Sequence, residues 1–448
     1  MVTRDEDLAV DGGDPVRTDP WPTYDKGDVF IAPDDERAAV EALHEKRLFR
    51  YDDRPYEDTF TGRFEQAVAD YFGVRHVLAC TSGTTAIALS LLALDLPKDS
   101  VVACPAFTFA ATPSAIMLAG HRPVLVEADE DLHMDVEHLR KVLAGGEVRA
   151  VVVVHMRGFA SDMPAILAAA DEAGVPVVED AVPALGATLH GRHLGTFGCF
   201  GAFSTQSDKS LNTGEGGFLI TDDSEAYGRA VVLSGAYEGR CRRHFAACDC
   251  PDIDDLALPI YGFRMDEIRA ALATSLLERL PERLFLHRRN YTYVASRLST
   301  MDGIVLRRPV ADGAFLGEAL VFRLPGADAA RSAWFAEALR AEGIDARAPA
   351  DPRDRNVRAF WNWKFLPDEP GGTGPDRPGA TGGALPETAR YLREAVDVPL
   401  SANLERTDCD QLVAAIAKVL AAEPPGRRAT EPPGRSATEP PRSAGPAR

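Results

Sequence analysis

The chain has 448 residues, 45% of them hydrophobic, enough for one large domain with a substantial core and a second, smaller one. Lys and Arg total 49 against 68 Asp and Glu, and the formal charge of −19 repels phosphate backbones and anionic lipid surfaces, which disfavours nucleic-acid and membrane-surface roles. No run of about eighteen apolar residues occurs, and the start MVTRDEDLAVDGGDP lacks the basic-then-apolar order of a signal peptide, so a soluble cytoplasmic protein is expected.

Residues 1–28 are polar and rich in Asp, Gly and Pro, with too little apolar surface to offset the entropy of ordering, and read as an arm. From 29 to 260, short β-rich apolar runs alternate with helical patterns. The runs are HVLAC at 76, SVVACP at 100, RPVLVEAD at 122, AVVVVH at 150, VPVVED at 175, CFGAFST at 199 and GFLITDD at 217. Seven strands separated by helices such as AIALSLLAL and MPAILAAADEAG predict an α/β fold, a mostly parallel seven-stranded sheet covered on both faces. Ligands of such sheets bind in the loops at the strand C-terminal ends. From 261 to 422 the pattern turns mainly helical around a strand-like VFRLP, which predicts a smaller α+β C-terminal domain. Within it, PDEPGGTGPDRPGATGG from Pro367 reads as a long surface loop. Residues 423–448 repeat EPPGRRAT, EPPGRSAT and EPPRSAGP, and their proline density predicts a disordered tail.

Seven cysteines, an odd number, fit a reducing compartment. Cys241, Cys248 and Cys250 crowd one polar segment with His244 but lack paired CxxC spacing, so no metal site is expected there.

Three segments carry chemistry. In ACTSGTTAIALSLLAL a strand, a Ser82-Gly83-Thr84-Thr85 turn and a helix follow one another, so that the free amides of the helix N-terminus and two hydroxyls can cradle an anion; alone, the turn would be read as N-capping by Ser82 or Thr84. In VVEDAVPALGA, Asp180 stands just past a buried strand; alone, it would be a turn or cap residue. In AFSTQSDKSLNTGEGGFLITDD, Lys209 stands in a polar loop between two strands, five residues after Ser204. An anion cradle, a carboxylate, an imine-forming lysine and a serine able to reach a phosphate, all in loops at the strand ends of one sheet, make the set that a pyridoxal-phosphate site needs.

With these motifs together the chain resembles the DegT/StrS family, pyridoxal-phosphate-dependent sugar aminotransferases of aspartate-aminotransferase fold (fold type I). The resemblance runs from about residue 30 to 422 through SGTTAIALSLLAL, PAFTFAATPSAI, VHMRGFASDM, VVEDAVPALGA, HLGTFGCFGAFS with Lys209 and GEGG, and FRMDEIRAAL. It implies pyridoxal 5'-phosphate held by Gly83, Thr84, Thr85 and Ser204 at its phosphate and stacked on by Phe109, which without the family would be read as core. It further implies Asp180 on the ring nitrogen and Lys209 as the Schiff-base lysine. Arg240, Arg242, Arg243 and Arg264 are candidates for a substrate carboxylate or phosphate, and of these only Arg264 lies in a family motif. Two positions depart from the family: its usual Gln three residues after the aspartate is Pro183, and its usual Asn before Arg264-Met265 is Gly262. Trp361 and Trp363 are left unassigned.

The expected function is transfer of an amino group from an amino acid, glutamate or glutamine, to a keto sugar, cyclitol or related biosynthetic intermediate. The expected assembly is a homodimer with its active sites at the interface. The two departures keep open decarboxylation, oxidation or elimination on an amino acid, and a further reading is a non-catalytic regulator of the same fold. The family's sugar dehydratases replace the lysine by His, so Lys209 argues against that branch.

Overall fold

Each of the seven apolar runs forms a strand of one sheet in the computed structural model, which describes residues 7–22, 30–242, 244, 253–366, 378–379 and 383–422. The strands are β1 (His76–Cys80), β2 (Val101–Pro105), β3 (Arg122–Val126), β4 (Val148–Val154), β5 (Val177–Asp180), β6 (Phe200–Ser204) and β7 (Gly217–Thr221). Their order is β1-β7-β6-β5-β4-β2-β3, with β7 alone antiparallel to its neighbours. Successive side chains go to opposite faces. Val151 and Val153 join one core with helices α2 (Phe60–Phe72), α5 (Val136–Ala144) and α6 (Met163–Ala173). Ala150 and Val152 join another with α3 (Gly83–Ala93), α4 (Ala111–Leu118) and α7 (Ser224–Ser234). Burial on both faces explains why β4 reads as an unbroken run of valines.

The division expected at residue 261 falls later. Helix α8 (Glu267–Glu278) packs on α2 and on α1 (Pro33–Glu45), and its Ala270, Ala273 and Leu276 belong to the large core. The chain leaves that core along α9 (Leu280–Leu298), whose Leu284 still packs in it while Tyr291, Val294 and Leu298 pack in the C-terminal core. Helical periodicity shows which face is apolar, not which sheet that face covers. The C-terminal unit is an antiparallel sheet of β8 (Val305–Leu306), β9 (Ala319–Arg323) and β10 (Ala395–Pro399) with α10 (Ala329–Ala341), α11 (Pro386–Glu394) and α12 (Arg406–Ala421). Phe107, Val154 and Met156 meet Ala319, Val321 and Leu392 where the two units touch.

The N-terminal arm also needs correction, because residues 7–22 are docked. Leu8 and Trp21 are buried in the C-terminal core. The buried Glu342 carboxylate accepts the amides of Ala9 and Val16, each at 2.9 Å, and pairs with Lys418 at 3.0 Å. Arg17 pairs with Asp408 at 2.6 Å. Two apolar anchors and fixed polar partners thus supply what composition alone withholds. The loop from Pro367 lies outside the described residues apart from a short pairing of 378–379 with 383–384, and the tail 423–448 lies outside them entirely.

Candidate active site

The C-terminal ends of the parallel strands surround a cavity of about 390 Å³. Six of the expected residues line it, namely Gly83, Thr84, Phe109, Asp180, Ser204 and Lys209.

At one end of the cavity α3 begins. Ser82 caps it by accepting the Thr85 amide at 3.1 Å, while the Thr85 hydroxyl accepts the Ser82 amide at 2.9 Å. Thr85 takes part in this reciprocal cap and is not among the residues that line the cavity. The amides of Gly83 and Thr84, in the first turn, have no carbonyl to bond within the helix. Glycine at 83 is set by packing, since a Cβ there would come within 2.8 Å of Val182 Cγ2 and 2.9 Å of Ser204 Cβ. That contact ties the helix start to the ends of β5 and β6.

Asp180 ends β5 and is 5% exposed. Its Oδ2 accepts from the buried Thr112 hydroxyl at 2.7 Å and its Oδ1 from the Val182 amide at 3.2 Å. Burial pushes its pKa above the ordinary carboxylate value, against the opposing pull of those two hydrogen bonds and of Lys209. A carboxylate so placed favours a cationic partner inside the cavity. Beneath it His155 and Glu179, both fully buried, pair at 2.9 Å, and Glu179 also accepts the amides of Gly195 and Gly198 at 2.8 and 2.6 Å. The glycines of HLGTFGCF therefore serve a buried carboxylate behind the site.

Lys209 stands on the connection from β6 to β7, which is held by Thr205 N to Gly216 O at 2.9 Å and Ser207 N to Gly214 O at 3.0 Å. Its side chain is 26% exposed, with Nζ 3.8 Å from Asp208 Oδ1. Phe109 is 49% exposed, so it is not the core residue that the bare sequence suggested.

The expected substrate arginines are elsewhere. Arg264 donates to Gly235 O at 3.1 Å and lies over the rings of Phe49 and Tyr237. Arg240 donates to Tyr51 O at 2.9 Å, Arg242 lines a separate surface concavity, and Arg243 lies outside the described residues. Pro183 does line the cavity, whereas Gly262 is exposed and does not. Sequence reasoning missed Thr112 and two other arginines that line the cavity, Arg157 and Arg358. Arg157 sits at φ 56° in the left-handed region, a conformation that costs a non-glycine residue about 1–3 kcal/mol. Trp363 is core, and Trp361 packs half-buried where two cores meet.

Among the described residues no three His, Cys, Asp or Glu side chains are grouped to hold a metal ion, and Cys248 and Cys250 lie outside them. Nor is any described helix long and apolar enough to cross a membrane.

The model of the DegT/DnrJ/EryC1/StrS aminotransferase family matches residues 49–355. The chain belongs to this family. Among its family relatives is a GDP-perosamine synthase of Caulobacter vibrioides, 33% identical over 255 residues that cover 56% of this chain and 65% of the relative. An L-glutamine:2-deoxy-scyllo-inosose aminotransferase of Streptoalloteichus tenebrarius is 33% identical over 296 residues, covering 63% of this chain and 66% of the relative. The matches thus span just under two thirds of these relatives' length. The crystal structure of a 3-amino-5-hydroxybenzoic acid synthase has the same fold, with TM-score 0.74, 23% identity and coverage of 91% of this chain and 100% of that one. A relative from Bacillus subtilis, 32% identical over 247 residues that cover 54% of this chain and 61% of the relative, is described as a putative pyridoxal-phosphate-dependent aminotransferase.

Proposed function

We propose that the chain is a pyridoxal-phosphate-dependent aminotransferase that moves an amino group from glutamate or glutamine to a keto sugar, cyclitol or related biosynthetic intermediate. The observation that carries this reading is the convergence of Lys209 and Asp180 on one cavity that also holds the N-terminus of α3. The residues present fit the cofactor. The Gly83 and Thr84 amides with the Thr84 and Ser204 hydroxyls take its phosphate, Phe109 offers an exposed ring face for stacking, and Asp180 meets the ring nitrogen. When bound, the cofactor supplies a carbonyl for covalent attachment and a ring that draws electrons from the substrate's Cα.

Asp180, buried and held by Thr112 and Val182, keeps a negative charge against the ring nitrogen and so keeps that nitrogen protonated. Lys209 attaches the cofactor. With its Nζ free, Lys209 would be the base that moves a proton between the donor's Cα and C4′ of the cofactor. Phe109, exposed on the cavity lining, and exposed Val357, whose carbonyl accepts the Ala110 amide, support a homodimer whose second copy closes the site, and a cytoplasmic location fits the reading.

Pro183 lines the cavity without a side-chain donor, and this favours as second reading a Cα reaction other than amino transfer. One experiment separates the two. Protein loaded with cofactor is mixed with glutamate, glutamine, alanine or aspartate and no acceptor. Amino transfer bleaches the visible band of the Lys209-bound cofactor and releases one equivalent of keto acid. A persistent band with carbon dioxide or peroxide evolved defeats the proposal. Lys209→Ala abolishes borohydride fixation of cofactor to the protein; fixation that survives removes Lys209 from its role.

A further inference from the structure

Arg157 and Arg358 are the guanidinium groups that line the cavity, and nothing in the chemistry described above uses them. Their positions follow from the sheet. Arg157 comes just after β4, next to the Asp180 strand, and Arg358 is docked one strand further, on the loop after β2. There Phe107 bridges Ala359, and the Ala110 amide donates to Val357 O at 3.1 Å. Arg358 therefore stands about 10 Å beyond the Asp180 strand, two strand spacings, on the side away from the β6 end that carries Ser204. It lines the cavity on the side opposite Ser204.

The turn that carries Arg358 is braced. Asn356 Oδ1 accepts the Arg358 amide at 2.9 Å, Asn362 Nδ2 donates to Asn356 O at 3.0 Å, and Trp363 Nε1 donates to Val357 O at 2.8 Å. The tryptophan that the sequence left without a role is part of this brace. The brace fixes the backbone from which the Arg358 side chain starts.

The charges around it are unevenly shared. Arg157 donates to Asp397 Oδ1 at 2.6 Å and lies 4.0 Å from Glu318. Arg358 has its nearest carboxylate oxygen at 3.7 Å, on the same Asp397, and makes no side-chain hydrogen bond among the described residues. Burial, together with the like charges of Arg157 and Arg347, holds its pKa below the ordinary guanidinium value, opposed by Asp397 and Glu318. A planar fork of donors, three-quarters buried, lining a cavity and making no side-chain hydrogen bond among the described residues is suited to two parallel bonds with a carboxylate.

We propose that Arg358 binds the α-carboxylate of the amino donor, with Arg157 holding Asp397 in place behind it. The assignment rests on the aminotransferase reading, in which every donor brings that carboxylate while a keto sugar or cyclitol need not. Asp397 at 3.7 Å then serves as a resting counter-ion in the half-reaction that lacks a carboxylate. Arg358 also lies beyond residue 355, where the family match ends, so the assignment concerns a part of the chain outside that match.

The test uses cofactor-loaded protein, unmodified and as Arg358→Gln and Arg358→Lys, with two donors that differ only in the α-carboxylate, glutamine and 4-aminobutanamide. Loss of a charge-assisted pair raises the glutamine concentration for half-maximal bleaching by about ten- to a hundredfold in Arg358→Gln. The lysine variant falls between, and the response to 4-aminobutanamide stays within about twofold, so that the preference for the carboxylate-bearing donor collapses. A merely structural role would weaken both donors together, and that result overturns the proposal, as does an unchanged preference for glutamine. A normal half-reaction with glutamine but a weakened return half-reaction with an anionic keto acceptor assigns the anion to the acceptor and also overturns it. If the unmodified protein reacts with no amino donor, the aminotransferase reading fails first and the proposal falls with it.

Discussion

Asp180→Asn separates the cost of burying a charge from the use of that charge. An asparagine carbonyl can accept from Thr112, now at 2.7 Å, or from the Val182 amide, now at 3.2 Å, but it brings no negative charge to the ring nitrogen. Removing one partner of a buried ion pair costs about 3–5 kcal/mol, and at about 1.36 kcal/mol per decade the donor half-reaction slows by roughly two to nearly four decades. Stability of the cofactor-free protein moves the other way. Burial raises the pKa of Asp180 in the fold. A carboxyl with a raised folded pKa contributes its stability below the unfolded value of about 3.9 and loses it as pH rises through the folded pKa. At pH 7.5 the asparagine variant without cofactor therefore melts at or above the unmodified protein, and this advantage disappears toward pH 4. Stopped-flow bleaching and melting curves at the two pH values read both effects. A half-reaction within threefold of the unmodified rate removes Asp180 from the chemistry, and a variant that melts lower at pH 7.5 refutes the desolvation argument.

Thr112→Val removes the buried hydroxyl that bonds Asp180; loss of a hydrogen bond to a charged group slows the half-reaction by roughly ten- to a hundredfold, and an effect below twofold counts against the contact. Gly83→Ala drives a methyl to 2.8 Å from Val182 Cγ2 and 2.9 Å from Ser204 Cβ. Its affinity for pyridoxal phosphate, followed by absorbance titration, falls at least about tenfold as the first-turn amides are displaced, and unchanged affinity would place the phosphate elsewhere. Trp21→Ala empties a buried site in the C-terminal core and costs about 3 kcal/mol, seen as a lower melting temperature; an unaltered melt would mean that the N-terminal segment is not docked in solution.

The large sheet was legible because each strand is a short apolar run bounded by turn residues, and burial on both faces leaves its hydrophobic content unbroken. Lys209 and Asp180 were legible for a related reason: strand ends are fixed by the runs, and polar residues just past them fall in the loops. Docking of residues 7–22 was not, since its partners Glu342 and Asp408 lie more than three hundred positions away. The cap made by Thr85 was not legible, because a helix cap and an anion cradle use the same residue types at the same place. Arg358 left one usable signal, the tryptophan pair three and five residues after it in RAFWNW, which marks a braced turn without showing what the turn faces.

The clasp around Glu342 has a consequence for the order of events during synthesis. Leu8 and Trp21 are made more than three hundred residues before the surfaces that receive them are completed by α10 and α12. At about 5–20 residues per second, a ribosome needs roughly 20–80 s to travel between them. The seven-stranded sheet, whose strands all lie before residue 222, can assemble in that interval while the leading segment waits with its apolar anchors uncovered. The acidic and glycine-rich residues around those anchors, so unpromising as core material, suit a stretch that must stay dissolved until its binding site exists.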